Sequence, residues 1–201
     1  QINGYNFDGI DAILSASPSY SKPSQQGIYE HYTIIADASP VPVILYNVPS
    51  RTSSNVSADT TIKLSKHSNI IGIKEASGDL AQAKDIIRSA AEGFFVTSGD
   101  DVLAPAMILS GGVGVISVLA NAYPGEFSQM ISHFVNGQSE QGKILEDKLY
   151  NFHDCMYSEG NPSGVKAALE ILGVCSADVR LPLTKVSPDL YRKLVELVNN
   201  L

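Results

Sequence analysis

The chain has 201 residues, of which 44% are hydrophobic and 17% charged, with aromatics at 7% and no Trp. That apolar content is too high for a disordered tail, and the length supports one sizeable core or two smaller ones. A net charge of −7, from 21 acidic against 14 basic residues, argues against a nucleic-acid surface, and no window approaches the roughly 20 consecutive apolar residues that a membrane span requires.

In chain order, the opening Gln1-Ile2-Asn3-Gly4 carries no targeting pattern and no initiator Met, and reads as the tail of a helix. Residues 9–16 follow as an apolar strand, with a helical pattern over 27–38. Strand patterns recur at 41–47, 70–75, 94–98 and 114–118, with helices predicted between them at 57–66, 79–91 and 101–109. Beyond 118 the spacing turns wholly helical, over 125–135, 139–157, 162–172 and 188–199. Cys155 and Cys175 read as free core thiols of a reducing compartment, so the expected location is the cytoplasm.

Near-continuous apolar strands separated by helices predict a parallel sheet covered on both faces. Polar residues gather at the carboxyl end of each successive strand: Ser17-Pro18-Ser19-Tyr20, Tyr46 to Arg51, Lys74 to Ser77, Ser98 to Asp101, and Ser117-Val118. An open doubly wound sheet concentrates chemistry at one switch point, whereas a barrel loads every strand end. The expected fold is therefore α/β, a (β/α)8 TIM barrel with a helical C-terminal appendage. Only five strands are found, so the chain is expected to lack the first three in a partial barrel over 1–120, with the helical region at 121–201.

Lys74 is the sharpest feature. It ends an apolar strand on the same side as Gly72 and opposite Ile71 and Ile73. A small residue beneath it should leave room for a ligand, and removing water from an amine lowers its pKa, as a Schiff-base nucleophile requires. A strand-end lysine that snorkels to solvent is the competing reading from position alone. Tyr46 occupies the same place on the preceding strand and should point inward beside Lys74, where a phenol can act as acid and base. A core Tyr bonded to backbone is its ordinary alternative. Glu75 faces away from Lys74 and is discounted as its partner. Arg51 follows a proline-stiffened turn and could bind a carboxylate in bidentate fashion.

The glycines at 111, 112 and 114 match neither dinucleotide nor P-loop spacing. They predict a tight turn that brings the backbone of Ile116 close to whatever occupies Lys74. Asp100 and Asp101 read as helix caps. His31, His67, His133 and His153 lack metal-ligand spacing and are expected to face solvent. No metal site and no Ser-His-Asp or Cys-His set can be assembled.

Four stretches, Tyr46-Asn47-Val48-Pro49-Ser50-Arg51-Thr52, Gly72-Ile73-Lys74-Glu75-Ala76-Ser77-Gly78, Ser98-Gly99-Asp100-Asp101 and Gly114-Val115-Ile116-Ser117-Val118, stand in order along the chain. Together they resemble the dihydrodipicolinate synthases, pyruvate-dependent class I aldolases of the N-acetylneuraminate lyase superfamily. The resemblance covers essentially all 201 residues and makes the five strands the fourth to eighth of that family's barrel. It implies that Lys74 forms an imine with pyruvate, that Tyr46 moves the proton, and that no cofactor is used. Tyr20 resembles the tyrosine that reaches into a neighbouring subunit's site, in a homodimer or homotetramer. Arg51 resembles the receiver of the carboxylate of aspartate semialdehyde, and the backbone of Gly99 and Ile116 resembles substrate contacts. Ser19 departs from the second aromatic that many relatives carry at the dimer contact. Two alternatives stand beside this reading. One is another pyruvate aldolase, such as a sialate lyase or keto-deoxy sugar acid aldolase, whose polyol substrates fit the Arg51 anchor less well; the other is an inactive remnant.

Overall fold

The computed structural model describes residues 2–201. They form a unit that runs to Ile116 and a unit Ser117–Leu201, so the division falls slightly before the expected 120/121. In the first unit, strands β1 (Ile13–Ala16), β2 (Val43–Asn47), β3 (Ile70–Glu75), β4 (Phe95–Ser98) and β5 (Gly114–Val115) pair in parallel and in sequence order. Helices α1 (Gln25–Ala38), α3 (Ala58–Leu64), α4 (Leu80–Ser89) and α5 (Ala104–Leu109) connect them, with a short α2 (Pro49–Thr52) after β2. Among the described residues the sheet is open, with β1 and β5 at its edges.

One face of this sheet is dry. Val43, Leu45 and Ile73 are fully buried in a cluster with Ile28 and Tyr32 of α1, Leu64 of α3 and Ile86 of α4. Burying a side chain of this size contributes on the order of 1.5–3 kcal/mol. The Tyr32 hydroxyl, deep in that cluster, donates to the Ser15 carbonyl at 2.9 Å, which ties α1 to the end of β1. Burial pushes its pKa well above the usual phenol range.

Local chemistry sets the helix starts. Ser24 Oγ accepts from the Gly27 N–H at 3.2 Å, and Ser57 Oγ accepts from the Thr60 N–H at 3.2 Å. Asp79 Oδ1 accepts from the Ala81 and Gln82 N–H groups at 2.9 and 3.0 Å. Asp100 Oδ1 accepts from the Val102 and Leu103 N–H groups at 2.8 and 3.1 Å, but regular helix begins only at Ala104. Asp100 thus holds a turn before α5 rather than its first residues.

Several boundaries differ from expectation. The lead-in is a 3-10 turn, Ile2–Gly4, and Gln1 lies outside the described residues. Gly9, at a φ of 75°, interrupts extended backbone and delays β1 to Ile13. β5 stops at Val115, two residues long. The four-residue α2 was not foreseen, because a single turn carries no helical periodicity.

The second unit holds α6 (Pro124–Val135), α7 (Ser139–Tyr157), α8 (Ser163–Ile171) and α9 (Pro188–Asn199). Its core includes Phe127, Met130, Leu149, Phe152, Met156 and Leu194, with Tyr123 and Phe152 ring centroids 4.7 Å apart. A Cβ at Gly164 would lie 2.4 Å from the Cys155 carbonyl oxygen, so glycine is what lets α8 approach α7. Two expectations fail here. Cys155 is buried but Cys175 is exposed, because α8 ends before it. His153 is buried, since α7 turns that side inward beside Phe152 and Met156. No helix among the described residues is long and apolar enough to cross a membrane.

Candidate active site

Strand register builds the site. Ala16 pairs with Tyr46, Tyr46 with Lys74, Lys74 with Thr97, and Thr97 with Gly114. Because side chains alternate along a strand, this row lies on the face opposite the buried Leu45 and Ile73. Tyr46 and Lys74 are only half-buried. The Lys74 Nζ sits over the Tyr46 ring, 4.5 Å from its centroid, within the range of a cation–π contact. The inward pairing expected from their shared position is present.

Burial is the main influence on Lys74 and lowers its pKa; the Asp101 carboxylate opposes that shift and the Arg51 guanidinium adds to it. A lowered amine pKa means more neutral nucleophile at a given pH. Asp101 is itself buried, at 3% exposure. The sequence suggested only a helix cap there; the signal that could have revealed it is its place two residues past Gly99 at the end of a strand beside Lys74.

Gly99 touches the lysine more intimately than expected. A Cβ there would lie 2.8 Å from Lys74 Cε, 3.1 Å from its Cγ and 2.7 Å from the Ala76 Cβ, so the bare backbone is the wall against which the lysine stem lies. The Gly99 N–H donates to the Glu75 carbonyl at 2.7 Å. Gly72 behaves differently. Its expected role was to leave ligand space beneath Lys74, but a Cβ there would lie 2.5 Å from the Phe95 ring, and Gly72 pairs with Phe95 in register. The Phe95 ring occupies the space over Gly72.

Arg51 lies at the exposed end of α2, whose Pro49 stands in the first turn and whose Ser53 cap adopts a φ of 60°. It acts on Lys74 through charge. Behind it, Ser17 Oγ and Ser54 Oγ are 2.8 Å apart and buried, joining the end of β1 to the α2–α3 loop. Tyr20 is 95% exposed at a φ of 70°, in a turn closed by the Ser21 N–H donating to the Ser19 carbonyl at 2.8 Å. It stands out from its own unit and is not brought onto Lys74. Ile116, 43% exposed, follows β5 and donates its N–H to the Ser98 carbonyl at 2.9 Å. Register therefore gathers Lys74, Tyr46 and Gly99, charge links Arg51 and Asp101 to them, and Tyr20 stays apart.

Glu75 is discounted from sequence because it faces away from Lys74, and it does; it is nonetheless a buried carboxylate that accepts several hydrogen bonds beside the site. It is 2% exposed and accepts from Asn47 Nδ2 at 3.0 and 3.2 Å, the Ser77 N–H at 2.6 Å and Gln82 Nε2 at 3.2 Å. No single residue type in the sequence announces such a cluster.

The chain is 50% identical over 194 residues to a 4-hydroxy-tetrahydrodipicolinate synthase of Cytophaga hutchinsonii, covering 96% of this chain and 65% of the relative. With the enzyme of the same name from Flavobacterium psychrophilum, identity is 48% over 190 residues, covering 94% of this chain and 65% of the relative. The chain thus spans 65% of the length of these curated relatives. Among solved structures, a chloride-inhibited dihydrodipicolinate synthase from Acinetobacter baumannii, complexed with pyruvate, superposes with a TM-score of 0.92 at 39% identity, covering 96% of this chain and 66% of that one. The dihydrodipicolinate synthase of Aquifex aeolicus gives 0.91 at 37%, with the same coverage. These likenesses put the fold in the α/β barrel class. The family model of the dihydrodipicolinate synthetase family matches residues 4–201, and the chain belongs to that family.

Proposed function

We propose that the protein condenses pyruvate with aspartate 4-semialdehyde through an imine on Lys74, giving 4-hydroxy-tetrahydrodipicolinate for diaminopimelate and lysine biosynthesis. The observation that carries this reading is the Lys74 amine, its pKa lowered by burial, lying 4.5 Å from the centre of the Tyr46 ring. The relatives' shared name supports the same chemistry.

In this mechanism the neutral Lys74 amine attacks the C2 carbonyl of pyruvate, and the carbinolamine loses water to form a protonated imine. Tyr46 moves the protons this dehydration needs. The iminium then acts as an electron sink: C3 loses a proton, and the resulting enamine attacks the aldehyde carbon of the second substrate. That aldehyde oxygen becomes a hydroxyl. The substrate amine next adds to C2, and expulsion of Lys74 closes the ring and frees the lysine. One water is released overall.

Arg51 would hold the carboxylate of the semialdehyde at the entrance, with the Ile116 carbonyl and the Gly99 backbone lining the pyruvate side. Tyr20, exposed in its own unit, would serve the site of a neighbouring copy in a homodimer or homotetramer. The covalent imine takes the place of a cofactor. The five strands are read as the fourth to eighth of a (β/α)8 barrel. The free state of Cys155 and Cys175 suits a cytoplasmic enzyme.

Borohydride reduction in the presence of pyruvate tests the reading. Reductive trapping should add pyruvate to the peptide that contains Lys74, and Lys74→Ala should abolish both trapping and turnover. Label on another lysine, or turnover surviving in Lys74→Ala, would overturn it.

A further inference from the structure

A buried carboxylate costs several kcal/mol to desolvate unless its hydrogen bonds are complete, and neutral partners return less than an apolar replacement of the same shape. Glu75 is such a carboxylate, held by amides. Asn47 Nδ2 reaches both of its oxygens, while Asn47 Oδ1 accepts from the Val56 N–H at 2.9 Å. Gln82, in the first turn of α4, donates to it and also exchanges hydrogen bonds with Asn55 at 2.8 and 3.2 Å. Asn55 in turn accepts from Asn47 Nδ2 at 2.8 Å.

The place of this cluster matters more than its size. Asn47 pairs with Glu75 in the row immediately after Tyr46 and Lys74, so each clamped residue is bonded through the backbone to one of the reacting pair. The carbonyl of the same Glu75 accepts from Gly99, whose backbone packs on the lysine stem. One residue thus ties down the strand of the phenol, the strand of the amine and the wall beside the amine.

We propose that Glu75 is a positioning residue: clamped by Asn47, Ser77 and Gln82, it fixes the register and tilt in which the Lys74 amine meets Tyr46. This rests on the aldolase reading above. Reacting groups displaced by about 1 Å lose roughly 100-fold in rate, whereas binding of pyruvate and formation of an imine tolerate more slack when pyruvate saturates.

The test compares two signals in the intact protein, in the wild type and in Glu75→Gln and Gln82→Ala. One is the fraction of Lys74 trapped by borohydride at saturating pyruvate. The other is exchange of the pyruvate methyl hydrogens with deuterium from solvent, followed by NMR, which reports proton transfer at C3. Exchange per trapped lysine should fall about 100-fold in Glu75→Gln and about tenfold in Gln82→Ala, which removes a single bond to the carboxylate. If Glu75→Gln does not fold, Gln82→Ala at the start of α4 decides the matter. A purely structural role would lower the melting temperature and leave exchange per trapped lysine at the wild-type value, overturning the proposal alone. A wild type that traps no pyruvate on Lys74 would overturn the aldolase reading and this role with it.

Discussion

The two faces of β2 and β3 are made from alternate residues of the same short segments, yet they have opposite surroundings. Val43, Leu45 and Ile73 are wholly excluded from solvent under α1, α3 and α4, whereas Tyr46 and Lys74, one residue further along, are half-buried and stacked on each other. The strand's two-residue period lets stability and reactivity be placed on separate sides of one backbone. A strained or half-desolvated group can then be tolerated on one face because the other face holds the strand in register.

Substitutions on the two faces should therefore have separable effects. Tyr46→Phe keeps the ring over the amine and removes only the hydroxyl. Turnover should fall by about 10²–10⁴-fold, the usual contribution of a general acid–base group, with little change in melting temperature. Steady-state kinetics beside a thermal melt checks this, and retained turnover would remove Tyr46 from the proton path.

On the covered face, Ile73→Ala is the mirror experiment. Emptying a fully buried site should cost about 2–5 kcal/mol of stability, seen in urea unfolding, while turnover per folded molecule stays near wild type. A large loss of turnover in the folded fraction would show that the two faces are coupled rather than separate.

Arg51→Ala sharpens the comparison within the reactive face. Removing a charge-assisted contact to a carboxylate should lower kcat/KM for aspartate semialdehyde by roughly 30- to 1000-fold. Trapping of pyruvate on Lys74 should persist, and its loss would assign Arg51 to imine formation instead.

The smallest expected effect is in pH dependence. Burial lowers the Lys74 pKa, Asp101 opposes it and Arg51 reinforces it. Asp101→Asn removes the opposing charge, so the lysine pKa should fall further and more neutral amine should be present at each pH. The acid limb of the imine-formation profile should accordingly move to lower pH. A shift to higher pH would contradict the electrostatic relation between the two groups.

Much of the site was legible because the rules involved are local. Tyr46 and Lys74 could be paired from parity and strand-end position alone, since the alternation of side chains holds for any strand and the register lies within each segment's own pattern. The family resemblance marks the Gly99 backbone as a substrate contact, whereas its closeness to the lysine stem appears only in the fold. The ligand space assigned above Gly72 was wrong because Phe95, on another strand, fills it. No pattern in either strand alone could say which side chain crosses the gap. Cys175 and His153 failed for a related reason: helical spacing predicts a face, but the end of α8 and the packing around α7 decide what covers it.

By itself the sequence determined the alternation of strand and helix, the parallel order of the sheet, the helical second unit and the residue types at the strand ends. All of these follow from periodicity and capping, which act over a few residues. Only tertiary structure decided that Glu75 is buried among hydrogen bonds, that Asp101 bears on Lys74, that the Phe95 ring covers Gly72 and that Tyr20 is exposed on its own unit. Those outcomes depend on contacts between residues 20 to 30 positions apart or more, such as Asn47 with Glu75, and on which side chain reaches a shared space first. Desolvation, charge pairing and steric exclusion act through space, so their result appears only when the strands stand side by side.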